Sequence, residues 1–281
     1  MRDFDSSTLR WRLSALVAIA LVSGSVLMAG APQATPAAKP KPAAAPAPAA
    51  APAPEGANTY LSIVHVKPGS WADYVALQKS DTMPALQKGG RAARQAWRNQ
   101  SFGRSFEVAY LYPLKSWAEL DGTPPLQKAL GADGEKAYNA KIRPMLDDVH
   151  YYALRSRPGL GYVADASARP KMGILAHIKV TPGKQAAFEA LLKNEWAPLL
   201  KKAGVPLYGV YEVTMGGMMG EYYTFTPIEN FAALDAGHPI MKVVTPAQFN
   251  ILVGKVGAVV TEVERTVTKL DEELSYGSME P

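Results

Sequence analysis

A constant offset of 114 residues brings the two halves of the chain into register without a gap. It pairs Pro68-Gly69 with Pro182-Gly183, Pro84 with Pro198, Gly90 with Gly204, Gly103 with Gly217, Pro113 with Pro227 and Leu120-Asp121 with Leu234-Asp235. Turn formers and apolar anchors recur together, which chance composition would not arrange, so the chain reads as one supersecondary unit written twice. Whatever one copy forms the other forms too, and each must bury its apolar face against something.

The second copy parses cleanly. Residues 174–180, ILAHIKV, are β-branched with Ile174, Ala176, Ile178 and Val180 on one face, which predicts a strand. Thr181-Pro182-Gly183 turns the chain into a helix whose Phe188, Leu191, Leu192, Leu199 and Leu200 share a stripe, ending at Gly204. Strands at 207–214 and 221–226 follow, joined by Gly216-Gly217-Met218-Met219-Gly220, whose glycines permit a hairpin. A helical region over 228–260, broken at Gly237-His238-Pro239, leads to a last strand at 262–270. The first copy repeats this with strands at 60–66, 93–99, 104–112 and 150–155 and helices at 70–88 and 114–147. The order β-α-β-β-α-β is that of ferredoxin-like units, whose helices cover one sheet face and leave the other bare. The expected fold is α+β: two tandem ferredoxin-like modules, 58–162 and 172–276 with a linker at 163–171, packed as an intramolecular pseudo-dimeric α/β barrel in which module 1 packs on module 2.

Ahead of these lies an apolar run, Leu13 to Ala31, preceded by Arg10 and Arg12, the order of a secretory signal. Residues 1–31 are expected to be a signal peptide, or an anchor if cleavage fails, since about twenty residues suffice to span a bilayer. The protein is then periplasmic or secreted, with the membrane involved only through an uncleaved N-terminal segment. Residues 32–57 are almost wholly Pro and Ala, and fixed φ angles without large side chains predict an extended, disordered linker. Setting aside Arg2, Arg10 and Arg12 with Asp3 and Asp5 leaves 27 basic against 23 acidic residues, evenly spread, which argues against a nucleic-acid partner. Cysteine is absent, which removes disulfides, thiolate metal sites and cysteine nucleophiles.

VKPG and VTPG before the first helix of each copy (66–69 and 180–183), the FEAL core of that helix (188–191), and SWAELDGTPP and NFAALDAGHP (116–125 and 230–239) resemble the dimeric α/β-barrel superfamily. Within it the chain is similar to the NIPSNAP-like and antibiotic-biosynthesis-monooxygenase-like proteins, over roughly residues 59–276. The resemblance implies the barrel. It leaves activity open, because the group spans haem enzymes, cofactor-free oxygenases, isomerases and non-enzymes, so function must be argued from a site.

The four histidines, His65, His150, His177 and His238, stand in no metal-ligand spacing, and none is duplicated. The expected sheet order gathers His65, Glu107 and His150 near one sheet end, a possible two-histidine, one-carboxylate set. Lys179, Glu221 and Glu264 occupy the equivalent places, so a structural polar cluster is the preferred reading, and no metal or cofactor is expected. On the central hairpin of the first copy, Arg94 and Arg98 share a strand face beside Trp97 and could hold a carboxylate or phosphate on a flat organic ligand. A solvated edge hairpin made basic to prevent edge pairing is the favoured alternative. Met215, Met218 and Met219 on the other hairpin are expected to pack against the partner module.

These residues point first to an exported protein that binds a small organic ligand, an anionic one included, or a protein partner between its modules, without catalysis. The alternative is a cofactor-free or haem-assisted monooxygenase-like enzyme acting on an aromatic small molecule, with His65, His177 or Tyr223 as acid/base. That alternative needs a closed cavity in the barrel converging on one of the three.

Overall fold

The structure, a computed structural model, describes residues 56–165, 167 and 169–278. The expected signal segment and nearly all of the Pro/Ala linker lie outside the described residues.

β1 (Asn58–Val66) leads through a 3-10 turn into α1 (Trp71–Leu77), a π turn over Gln78–Thr82, and α2 (Met83–Lys88). β2 (Gln95–Asn99), β3 (Glu107–Leu114), α3 (Pro125–Ile142) and β4 (Leu146–Ser156) complete the first half. After the short β5 (Tyr162–Val163) come β6 (Met172–Val180), α4 (Gln185–Leu191), a second π turn over Leu192–Trp196, and α5 (Ala197–Lys202). β7 (Leu207–Met215), β8 (Glu221–Pro227), α6 (Ala232–Asp235), α7 (Pro246–Gly257) and β9 (Val260–Leu270) follow. The boundaries of β1 and β6, α1 and α4, the two π turns, α2 and α5, and β4 and β9 differ by 114 residues throughout.

The strands form one antiparallel sheet in the order β4-β1-β3-β2-β9-β6-β8-β7, closed by β4 pairing with β7, with β5 added on β7. The two halves therefore join edge to edge, through β2–β9 and β4–β7, and close an eight-stranded barrel. Strand side chains alternate between faces. One face turns inward, where Leu61, Leu154, Val213 and Tyr223 pack with Ile63, Leu111, Tyr152, Leu175 and Tyr211 from both halves. The other turns outward to the helices. In the second half that layer is a large core in which Phe188, Leu200 and Ile240 are fully buried, each worth roughly 1.5–3 kcal/mol of apolar burial.

Four expectations change. β2 is no edge strand: it is hydrogen-bonded to β3 on one side and β9 on the other. Met215, Met218 and Met219 do not pack on the other half but stand exposed at the tip of their hairpin. The helix over 70–88 carries a π turn, in which Met83 N–H donates to the Gln78 carbonyl and Ala197 N–H to that of Leu192. The long helical regions also break more often than expected. α3 is interrupted at Gly131, whose φ of 71° only glycine adopts readily, and α7 starts afresh from a Thr245–Gln248 capping box.

The tails cross between halves. After β4 the chain runs to β5, which pairs with β7, and the Tyr162 hydroxyl donates to the Val205 carbonyl. After β9 the tail returns to the first half, where Tyr276 and Arg94 exchange backbone hydrogen bonds.

His238 caps the turn at Pro239–Lys242 by accepting from Ile240 N–H, with its ring between Trp196 and Phe249. Burial lowers its imidazole from the ordinary 6.5 to about 4, and the Arg265 charge adds to the effect. The unfolded chain thus takes up the proton first. The stabilising contribution is complete above about pH 6.5, falls as pH drops, and is gone near pH 4. Urea melts should show about 2 kcal/mol lost over that window, discounted for the partly exposed ring, and His238→Asn should remove the loss while keeping a cap. Parallel falls in parent and variant would assign the acid sensitivity elsewhere.

Candidate functional site

The inward face is polar at one mouth of the barrel. His65 on β1 lies opposite Glu107 on β3, and its Nε2 contacts the Glu107 carboxylate, whose other oxygen accepts from Asn99 Nδ2 at 2.7 Å. His150 does not join them. The β1–β4 register sets Asp148 opposite His65 and places His150 opposite Ile63, and His150 Nε2 meets the Gly216 carbonyl at 2.6 Å while its ring stacks on Tyr152. His65, Glu107 and His150 therefore form no common cluster. From the second half His177 stacks on Tyr223 at 4.5 Å, with its Nε2 3.6 Å from the buried Glu221 carboxylate, and Tyr223 packs edge-on against Tyr152. Burial first, then Tyr152, raises the Tyr223 phenol far above its ordinary range. Among the described residues no group of three or more His, Cys, Asp or Glu is arranged to hold a metal ion.

Arg94, Trp97 and Arg98 do not converge either, because alternation sends Trp97 inward, against Phe225, and the two arginines outward. Arg94 is fully buried instead of sitting on a solvated edge: its Nε donates to the Leu274 carbonyl, its Nη1 to Gln78 Oε1, both at 2.9 Å, and it lies over the Tyr110 ring. Arg98 pairs with Asp271 at 2.9 Å and covers Trp71. Both arginines tie the returning tail to the first half.

The large open volume lies elsewhere, between the outward face of the first half's sheet and its helices. This cleft measures about 990 Å3, at the upper end of small-molecule sites. Its floor is Tyr60, Ser62, Tyr110 and Tyr112, and one wall is Tyr74 with the π-turn residues Gln78 and Thr82. Tyr138 from α3, Tyr151 from β4 and Arg91 from the turn after α2 close it. Smaller clefts of about 730 and 390 Å3 lie near Phe231 and near Leu130. None of these three clefts is lined by His65, His177 or Tyr223.

The offset of 114 residues makes the cleft informative. Ser62 corresponds to Ala176, Tyr74 to Phe188, Gln78 to Leu192, Thr82 to Trp196, Arg91 to Val205 and Tyr138 to Leu252. In every pair the first half carries a polar group and the second an apolar side chain, and the second half's residues lie in or against its large core. The same backbone thus holds a packed layer on one side and an open, polar-lined cleft on the other. Both halves carry the π turn, so side-chain identity decides the outcome: Gln78 and Thr82 line the cleft where Leu192 and Trp196 fill space. Neither histidine spacing nor the strand-face arginines mark these lining residues in the sequence. The signal was a position-by-position difference between copies along the helix and the outward strand face.

The floor and π-turn wall carry neutral hydroxyls beside Arg91, and Glu119, Lys128, Glu135 and Arg143 also line the cleft. Tyr74 donates to the Tyr110 hydroxyl at 3.0 Å, the Thr82 and Tyr138 hydroxyls are 2.7 Å apart, and Tyr60 stacks on Tyr151. Burial is the leading cause that raises the phenols of Tyr60, Tyr74, Tyr110, Tyr112 and Tyr138, so all are protonated donors at neutral pH. A haem iron does not fit this donor set. The cleft offers no imidazole, thioether or thiolate, and its phenols are held protonated, which leaves no axial ligand.

No protein-family model matches the chain, and no curated protein is similar to it in sequence. Among solved structures, an anthrone oxidase-like protein is similar over 78% of this chain and 93% of its own, with 12% identity and a TM-score of 0.54. A candidate monooxygenase from Fusobacterium nucleatum matches over 80% of this chain and 100% of its own, with 10% identity and a TM-score of 0.49. A chlorite dismutase variant from Candidatus Nitrospira defluvii covers 79% and 93%, with 11% identity and a TM-score of 0.46. The fold is thus a mixed α/β fold with an eight-stranded antiparallel barrel, similar to the dimeric α+β barrel proteins.

Proposed function

We propose that the protein takes a planar aromatic molecule into the tyrosine-lined cleft and oxidises it with dioxygen, without a bound cofactor, as a monooxygenase-like enzyme. The observation that carries this is the asymmetry between halves: six matched positions are polar where the cleft is open and apolar where the layer is filled. A polar-lined cavity costs stability that the filled layer gains, so keeping it open on one side only speaks for use. Aromatic walls suit a flat ligand, and phenol hydroxyls suit its oxygens. The anthrone oxidase-like neighbour has the same fold and suggests the substrate type. On this reading the ligand sits under the helices of one half rather than between the halves.

The reading includes two tandem ferredoxin-like units of NIPSNAP-like kind, 58–162 and 172–276, that diverged into a working and a structural half. The matched element boundaries support it. Export through residues 1–31 belongs to the same proposal.

Anthrone is the direct test. Oxidation by one dioxygen converts its ring methylene to a carbonyl, giving anthraquinone and one water, so atoms and electrons balance without another reductant. Purified protein in air should accelerate anthraquinone formation at least tenfold over buffer, with matching oxygen uptake. Binding without turnover is the second reading, favoured because the carboxylates lining the cleft, Glu119 and Glu135, are not fully buried and no histidine lines it. An anthraquinone that binds while anthrone oxidises no faster than in buffer would decide for it.

A further inference from the structure

We infer that the molecule held in this cleft bears an acidic hydroxyl, a phenol or enol, and is bound through it as the oxyanion at Arg91. The inference rests on the ligand-binding part of the reading above. Arg91 lines the cleft with its guanidinium 5.2 Å from the Tyr112 ring centre, and its buried Nε meets no acceptor. Directly behind the wall, Arg94 is fully buried, its Nη2 also without an acceptor of good geometry, and its two other bonds go to a carbonyl and an amide. Neither arginine forms an ion pair among the described residues.

Guanidinium groups do not discharge by losing a proton, and burying one without a counter-charge is costly. Two such groups at one end of an open cleft make a standing positive potential in a medium of low dielectric. The second half confirms that the fold does not demand them, since Val205 and Tyr208 stand in their places. The titratable groups facing Arg91 are the phenols of Tyr60, Tyr112 and Tyr276, which burial keeps protonated and therefore able to donate to an oxyanion but not to replace one. A neutral aromatic would leave the Arg91 Nε without an acceptor. An aromatic oxyanion supplies one while its rings lie against Tyr60 and Tyr151, and ionisation also activates such a molecule toward dioxygen.

Alizarin, a tricyclic phenol whose colour reports ionisation, tests this directly. Its visible titration with saturating protein should show the first hydroxyl ionising at least one pH unit lower than in free solution, equivalent to tenfold tighter binding of the anion. Arg91→Met should bind both forms equally and abolish the shift, whereas Arg91→Lys should keep part of it. Bound alizarin that ionises at or above its free value, or an unchanged shift in Arg91→Met, overturns the inference and leaves the cleft as a site for neutral aromatics. Absence of binding at any pH overturns the cleft itself.

Discussion

Thr82→Trp with Tyr138→Leu should abolish ligand binding in the cleft, by at least 100-fold for alizarin, while leaving the protein as stable as the parent or more so. The two replacements install at the first half's π turn and covering helix the residues that stand at the matched positions of the second, Trp196 and Leu252, where they belong to a filled apolar layer. The exchange removes both partners of the 2.7 Å hydroxyl pair together, so neither hydroxyl is left facing a lost partner. It also adds apolar volume to a space of about 990 Å3, so overpacking is not expected. A hundredfold loss corresponds to about 2.7 kcal/mol of binding free energy. If the double variant melts like the parent and still binds alizarin at parental affinity, the ligand sits somewhere else and the cleft is only a packing fault.

Arg94→Ala should cost about 3–4 kcal/mol in urea melts and free the C-terminal tail. The loss combines the hydrogen bonds to the Leu274 carbonyl and Gln78, two acceptors left unsatisfied in the interior, and the cavity left by a fully buried side chain. Leu274 is itself fully buried, Asp271 caps the Glu273 and Leu274 amides, and Arg98 pairs with Asp271, so the tail is docked as one unit around this arginine. Limited proteolysis within residues 271–278 should therefore begin in the variant under conditions that spare the parent. A cost below 1 kcal/mol with an intact tail would leave Arg94 with an electrostatic role alone.

Much of this fold could be read from the chain before any coordinates. The offset of 114 residues, the alternation in Ile174–Val180 and the apolar stripe from Phe188 to Leu200 are local signals, and the strands and helices follow them. Two kinds of feature were not legible. The first was long-range pairing: β2 reads as a basic edge because nothing in its own residues shows that β9 will lie beside it. The second was register, which separates His65 from His150 by one alternate position on neighbouring strands and so dissolves a cluster that looked complete in sequence. The π turns were hidden for a related reason, since one extra residue per turn leaves the apolar stripe nearly unchanged while redirecting Gln78 and Thr82. The cleft was legible in principle, because Tyr74 against Phe188 and Tyr138 against Leu252 are visible in any pairwise comparison of the halves. What was missing was a reason to expect chemistry from tyrosines on an outward strand face.

Closure of the eight strands within a single polypeptide changes what mutation can do to such a molecule. In a barrel assembled from two identical subunits every substitution lands twice, so a residue that opens a hollow on one side must open it on the other, and the assembly bears the destabilisation in duplicate. Here each substitution lands once. One flank can stay dense and carry the thermodynamic burden, and the opposite flank is thereby released to drift toward whatever molecule it encounters.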